Sequence, residues 1–196
     1  APFVGDQLII GAALFSPRRK YETSAPPDFP QGRRITIGPN NLDSESNYFV
    51  IPHIAKSWQL SNDSAWALSF YGRGGMNTEW NSGQTAMFDP FGQGGAPATL
   101  PGVYGAGKAG VDLMQAFMSL NYAGQVNDRF AWGIGPVVAI QMFEATGVAS
   151  FTGYTQTFAD AFLQNGQGAP ATQLTDNGHD TSYGYGVAAG LWTGTE

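Results

Sequence analysis

The sequence predicts an all-β fold, an antiparallel transmembrane β-barrel present here as an incomplete barrel of about six strands with long extracellular loops. Three observations carry that expectation. Six segments, at about 6–16, 47–60, 65–71, 111–122, 130–143 and 181–192, alternate apolar residues with small or polar ones. The links between them run long, short, long, short, long: 17–46, 72–110 and 144–180 are long, 61–64 and 123–129 short. Soluble domains connect their elements mostly by short loops, and structureless loops above about 12–15 residues are uncommon. Transmembrane barrels have tight turns on the periplasmic side and long loops outside. Finally, charged residues make up 12% of the 196, about half the roughly 25% of a soluble domain. Mean hydropathy is nonetheless near zero, the average that alternating lipid-facing and lumen-facing positions produce.

Each segment supports the alternation, which places odd and even positions on opposite faces. The first sets Leu8, Ile10, Ala12 and Leu14 against Gln7, Ile9, Gly11 and Ala13. The second carries Tyr48, Val50, Ile54 and Trp58 on one side, with Lys56 among them close enough to the turn to snorkel. The third sets Trp66, Leu68 and Phe70 against Ala67, Ser69 and Tyr71. The fourth sets Met114, Ala116, Met118, Leu120 and Tyr122 against Gln115, Phe117, Ser119 and Asn121. The fifth gives the cleanest contrast: Phe130, Trp132, Ile134, Pro136, Val138, Ile140 and Met142 face one way, and the positions between them are mostly glycine, alanine and valine. The sixth sets Tyr183, Tyr185, Val187, Ala189 and Leu191 against Gly184, Gly186, Ala188 and Gly190. Several runs match the 9–11 residues with which a tilted strand crosses hydrocarbon. Trp58, Trp66, Tyr122, Phe130 and Trp132 lie beside the short turns, where an aromatic girdle would sit. Pro52 and Pro136 each remove a ladder donor, so a bulge or weak pairing is expected at both.

Composition excludes several classes. No apolar run reaches the 18 or more residues of a membrane helix. Without cysteine there is neither a disulfide framework nor a thiolate metal site. A net charge of −6 argues against a nucleic-acid partner. Ala1-Pro2-Phe3-Val4-Gly5 has no basic or apolar signal-peptide character, so any signal is expected to lie outside this sequence.

Few motifs carry chemistry. Gly105-Ala106-Gly107-Lys108-Ala109-Gly110 matches a dinucleotide fingerprint, but Pro97-Ala98-Thr99-Leu100-Pro101-Gly102 before it reads as loop rather than buried strand. It is expected to be a flexible entry into the fourth segment. His53 and His179 have no serine partner at a recognisable spacing, and both read as solvated or locally satisfied. Asp43, Glu45, Asp176 and Asp180 are scattered loop carboxylates without metal spacing. No enzyme activity, cofactor or metal is expected.

Two features read as functional. Gly72-Arg73-Gly74-Gly75-Met76 closes the third segment, and glycines in a strand mark bends or gaps in pairing. In a barrel wall that would open an aperture; as a loop start it would do nothing. Phe158, Ala161, Phe162 and Leu163 form an i, i+3, i+4 apolar stripe in the third long link. It reads as a short amphipathic helix, either packed on its own loop or serving as a landing site for a hydrophobic ligand.

An ordered set of short stretches resembles the FadL family of outer-membrane transporters for long-chain fatty acids and other hydrophobic compounds. It begins at Leu8-Ile9-Ile10-Gly11-Ala12-Ala13-Leu14-Phe15-Ser16-Pro17-Arg18-Arg19-Lys20-Tyr21 and continues through Val50-Ile51-Pro52-His53 and Gly75-Met76-Asn77-Thr78-Glu79-Trp80. It ends with Asn121-Tyr122-Ala123, Phe130-Ala131-Trp132-Gly133-Ile134-Gly135 and Tyr183-Gly184-Tyr185-Gly186. The resemblance implies a larger barrel plugged by an N-terminal hatch, opened sideways by a kink in the third strand. Hatch and later strands have no counterpart in this sequence, which is therefore expected to be a fragment. Carried over, the kink falls on Gly72, Gly74 and Gly75, and the loop helix on Phe158, Phe162 and Leu163. The expected ligand is a fatty acid or hydrocarbon, passing a lumen lined by residues such as Phe117, Ala139 and Phe143. The expected surroundings are outer-membrane lipid, with the full-length protein monomeric. A general porin or adhesin barrel and a soluble β-barrel lipid binder are the alternatives. The porin should show charged lumen rings, which are nearly absent here, and the soluble binder a polar outer face, which the fifth segment lacks.

Overall fold

The computed structural model describes residues 5–24, 35–37, 40–88, 98–168 and 175–194. Its strands are β1 (Gln7–Phe15), β2 (Lys20–Thr23), β3 (Ile35–Ile37), β4 (Asn40–Asp43), β5 (Phe49–Ser61) and β6 (Ser64–Trp80). They continue with β7 (Gln84–Phe88), β8 (Ala98–Pro101), β9 (Ala109–Asn127), β10 (Phe130–Thr146) and β11 (Asp180–Thr193). A 3₁₀ turn (Ala149–Tyr154) and helix α1 (Gln156–Asn165) lie between β10 and β11. No described helix is long and apolar enough to cross a membrane, which says nothing about strands.

The six alternating segments become β1, β5, β6, β9, β10 and β11, joined in that order into one antiparallel sheet. The fold is all-β as expected, but the sheet does not close: β1 pairs with β5 and β11 with β10, at opposite edges. Both short connections meet at one end, where Gln125 N donates to Asp63 O at 2.7 Å.

Two strands run well beyond the lengths expected from sequence. β6 continues through the glycines to Trp80 instead of stopping at 71, because residues 77–80 pair with 109–112 of an equally lengthened β9. β9 also extends to Asn127, leaving a two-residue turn before β10. The links 17–46 and 72–110 are not all loop: they carry a β2–β4 pair and a β3–β7–β8 sheet. β8 occupies the stretch read as loop ahead of the glycine motif, and the motif itself leads into strand β9, not a helix. The β2–β4 pair is tied to the large sheet at Ser44, which is 1% exposed. Its N–H donates to Arg19 O, and its Oγ accepts from Glu79 N at 3.1 Å.

Register turns the alternation into continuous rows. Ile10, Ile54, Phe70, Met118, Val138 and Tyr185 stand opposite one another across all six strands. One step along, Gly11, His53, Tyr71, Phe117, Ala139 and Gly184 form the corresponding row on the other face. The first row is exposed, Met118 at 48% and Val138 at 46%. Val103 and Ser44 are the largest fully buried side chains among the described residues. The apolar face is therefore uncovered by anything described in this chain.

Pairing lapses at both prolines. The β5–β6 ladder stops at His53↔Tyr71, just before Pro52. In β10 the pairs with β9 skip from Ile134↔Tyr122 to Val137↔Ser119, omitting Gly135 and Pro136. Gly135 lies so close to β9 that a Cβ there would collide with the carbonyl oxygen of Leu120. Gly135→Val should therefore lower stability by about 2–3 kcal/mol in denaturant unfolding; a midpoint equal to wild type would show that the close approach is not required.

Candidate functional site

The best-defined opening lies between β5 and β6. From Phe49 to Pro52, β5 keeps its partner β1, and from Gly72 onward β6 keeps its partner β9, but the two no longer pair with each other. Pro52 brings no N–H, and three glycines in four residues weaken the facing strand. The β6–β9 register also shifts between Gly74 and Asn77. Gly75 sits where a Cβ would collide with the carbonyl oxygen of Leu113, so this bulge requires glycine. At Gly72 an added Cβ would only touch Ile51 Cγ2 and Pro52 Cδ, both at 3.4 Å.

A cavity of about 390 Å³ fills this gap. Val50, Pro52 and Gly72 line it from the apolar face, and Ile51, Arg73 and Gln115 from the other. It thus touches both sides of the wall. Arg19 also lines it. Its guanidinium donates through Nη2 to Ser46 O at 2.7 Å and lies 5.9 Å from the Phe49 ring centroid. The buried Arg19 Nε has no hydrogen-bond partner. A larger hollow of about 540 Å³ runs beside Ala188, Gly190 and Trp192. It lies along β11, the unpaired edge, and reflects the open sheet.

On the small-residue face, Phe117 stacks on Tyr71 with centroids 5.4 Å apart, and Ala139 is its partner in β10. Phe143 lies on the same face two steps further along β10. The intervening row holds Gln115 and Gln141, whose side chains bond at 2.6 Å. The expected lumen residues therefore share a face but form two groups separated by an amide pair. Ser69 and Ser119 bond at 2.7 Å on this face, and Asn121 Nδ2 donates to Ser119 Oγ at 2.9 Å.

The apolar stripe of the third long link does form α1. Thr155 caps it by accepting from Phe158 N, and the helix ends at Gly166. Phe158 and Phe162 stack at 6.4 Å, while Leu163 is 84% exposed. The helix packs on the adjoining 3₁₀ turn, and the structure does not bring it to the gap or to Phe117.

Aromatic side chains make a row at the short-turn end of the apolar face. Trp58 pairs with Trp66, whose ring is 5.2 Å from Tyr122, which in turn lies 5.7 Å from Trp132. Lys56 reaches toward this row, its Nζ 6.0 Å from the Trp58 ring. At the opposite end the same face carries Asp112 and Glu144, with His179 between them. That contact was not legible in the sequence, since His179 is 67 residues from Asp112. The cue was a carboxylate, Asp112 in β9 and Glu144 in β10, that breaks each of these two apolar stripes at the same level. No group of three or more His, Asp or Glu that could hold a metal ion occurs among the described residues.

No protein-family model matches the chain, and searches of curated proteins and of solved structures return no significant match.

Exposed side chains on α1 allow its expected role as a landing site to be tested apart from folding. Phe162→Ser with Leu163→Ser should change stability by no more than about 0.5 kcal/mol, yet weaken capture of a fluorescent long-chain amphiphile severalfold. Undiminished capture would remove α1 from the site.

Proposed function

We propose that this chain forms part of an outer-membrane channel wall for passive uptake of long-chain fatty acids or other hydrophobic small molecules, released sideways beside Gly72. The observation that carries the reading is a break in pairing that touches both faces of the sheet, located in an uncovered apolar surface. Soluble proteins rarely expose contiguous apolar patches beyond a few hundred Å². On β9 the apolar face runs from Tyr122 to Asp112 through Leu120, Met118, Ala116 and Met114. At about 3.4 Å per residue and the usual 35–45° tilt, that stretch rises roughly 24–28 Å. An outer-membrane apolar band is about 25 Å tall.

Lateral release has a driving force. An alkyl chain gains about 0.8 kcal/mol per methylene on leaving water for lipid, so an exit into the bilayer avoids rehydrating it. Arg19 and Arg73 at the cavity favour ligands with a carboxylate end over plain hydrocarbons. Scarcity of charge on the small-residue face argues against a general porin. The unpaired edges of β1 and β11 suit completion of the barrel by further strands.

Two measurements test the reading. Lipids brominated along their acyl chains should quench the fluorescence of Trp58, Trp66 and Trp132 in the reconstituted protein; unquenched emission would place that face away from lipid. Gly72→Ile, whose Cβ would meet its neighbours only at ordinary van der Waals distances of 3.4–3.7 Å, should reduce fatty-acid uptake by the intact protein about tenfold or more while membrane insertion stays normal. Uptake at the wild-type rate would remove the gap from the route.

A further inference from the structure

His179 stands one residue before β11 and closes the connection from β10. Its ring lies between two carboxylates on neighbouring strands: Nε2 is 3.1 Å from Asp112 Oδ2, and Nδ1 is 3.4 Å from Glu144 Oε2. Asp112 and Glu144 are themselves opposite one another in the β9–β10 ladder. A neutral imidazole has one N–H and can donate to one of them; the imidazolium has two and can donate to both. Carboxylates directly opposite across strands also repel each other, and a cation between them removes that penalty.

Among the described residues, the surroundings supply no substitute cation. From β6, Asn77 Nδ2 donates to the other oxygen of Asp112 at 2.7 Å. Glu79 on the same strand holds Lys108 at 3.1 Å. Asp180 follows His179 on β11, and Asp176 precedes it, with Oδ1 accepting from Gly147 N at 3.1 Å. The ring therefore faces Asp112 and Glu144 in a region that also holds Asp176 and Asp180, while the nearby lysine is engaged by Glu79.

We propose that His179 is a proton-operated clasp, fastening the end of the β10–β11 connection to the rim of β9 and β10 when protonated and loosening it when neutral. The start of this segment is held independently of the ring. Thr175 Oγ1 donates to Ala145 O at 2.8 Å, and Asp176 N to the same oxygen at 3.1 Å. The part that loosens is thus the short stretch from 177 to the first pair of β11, Asp180↔Phe143. Closure favours the ring that carries two N–H donors, so the clasp tightens as pH falls and loosens as pH rises. A cavity of about 400 Å³ lined by Phe143, Asn177 and His179 adjoins the clasp and would widen with it. The inference stands whether or not the chain transports a ligand.

Hydrogen–deuterium exchange on the intact protein in detergent, corrected for intrinsic rates, tests it between pH 5.5 and 8. Amides of residues 177–180 should be roughly three- to tenfold better protected at pH 5.5, since about a third of each partner is exposed and water screens the contact. Val138 serves as the reference that must not change. His179→Gln should flatten the profile at its high-pH level, and Asp112→Asn with Glu144→Gln should flatten it with the histidine intact. A pH-independent wild type, or a His179→Gln profile like wild type, overturns the clasp. Nitrogen-15 spectra of the wild-type ring provide a readout that needs no variant. Both ring nitrogens should be protonated while the stretch is protected, and a neutral ring in a protected stretch at pH 5.5 overturns the clasp.

Discussion

Backbone hydrogen bonding, not a hydrophobic core, holds this molecule together. Six strands pair only with their neighbours in one antiparallel sheet, and no described side chain larger than Val103 is fully buried. Alternation then acts without interference from packing: every even position along β10 points to one side, and nothing described in the chain covers it. In water such a sheet would leave its apolar rows hydrated, losing the usual driving force for folding. The same ladder in hydrocarbon would cost no apolar hydration, and its backbone groups are paired except at the gap, at Gly135–Pro136 and along the open edges of β1 and β11. The aromatic row at one end and the Asp112–His179–Glu144 group at the other bound that surface where its chemistry changes.

The gap follows from competition for pairing. Each of β5 and β6 has a second neighbour, β1 and β9, that holds it in place where the two part. Pro52 withdraws a donor from one side and the glycines around Arg73 reduce side-chain contact on the other. Separation there costs little, and the strands remain anchored outside it. Gly75 and Gly72 differ in kind. The former is needed because the backbone of Leu113 approaches it, the latter only leaves space. A glycine-rich run thus combines a structural requirement with a functional opportunity, and sequence alone does not separate them.

Legibility varied with the range of the interaction. All six long strands of the main sheet were visible because period-two alternation is a local property of each segment. The short links at 61–64 and 123–129 were visible too, but the second narrows to a two-residue turn because β9 runs on to Asn127. Strand ends were not: residues 72–80 look like loop until the partner in β9 is known, and β7 and β8 have too few residues to show a period. The amphipathic spacing of Phe158, Phe162 and Leu163 marked α1 correctly. Phe117, Ala139 and Phe143 were placed on one face, but their separation by the Gln115–Gln141 bond depends on register. His179 read as solvated because its partners come from two other strands.

By itself the sequence determined the all-β class, the strand order implied by short turns, and which residues of each strand share a side. Those are consequences of chain chirality and a two-residue repeat, and they need no information from distant residues. Tertiary structure alone decided how far β6 and β9 run, that the Gln115–Gln141 pair divides Phe117 from Phe143, and which carboxylates meet His179. Each of these depends on register between strands, and register is a property of two segments at once. A shift of one residue would move every side chain of a strand to the opposite face.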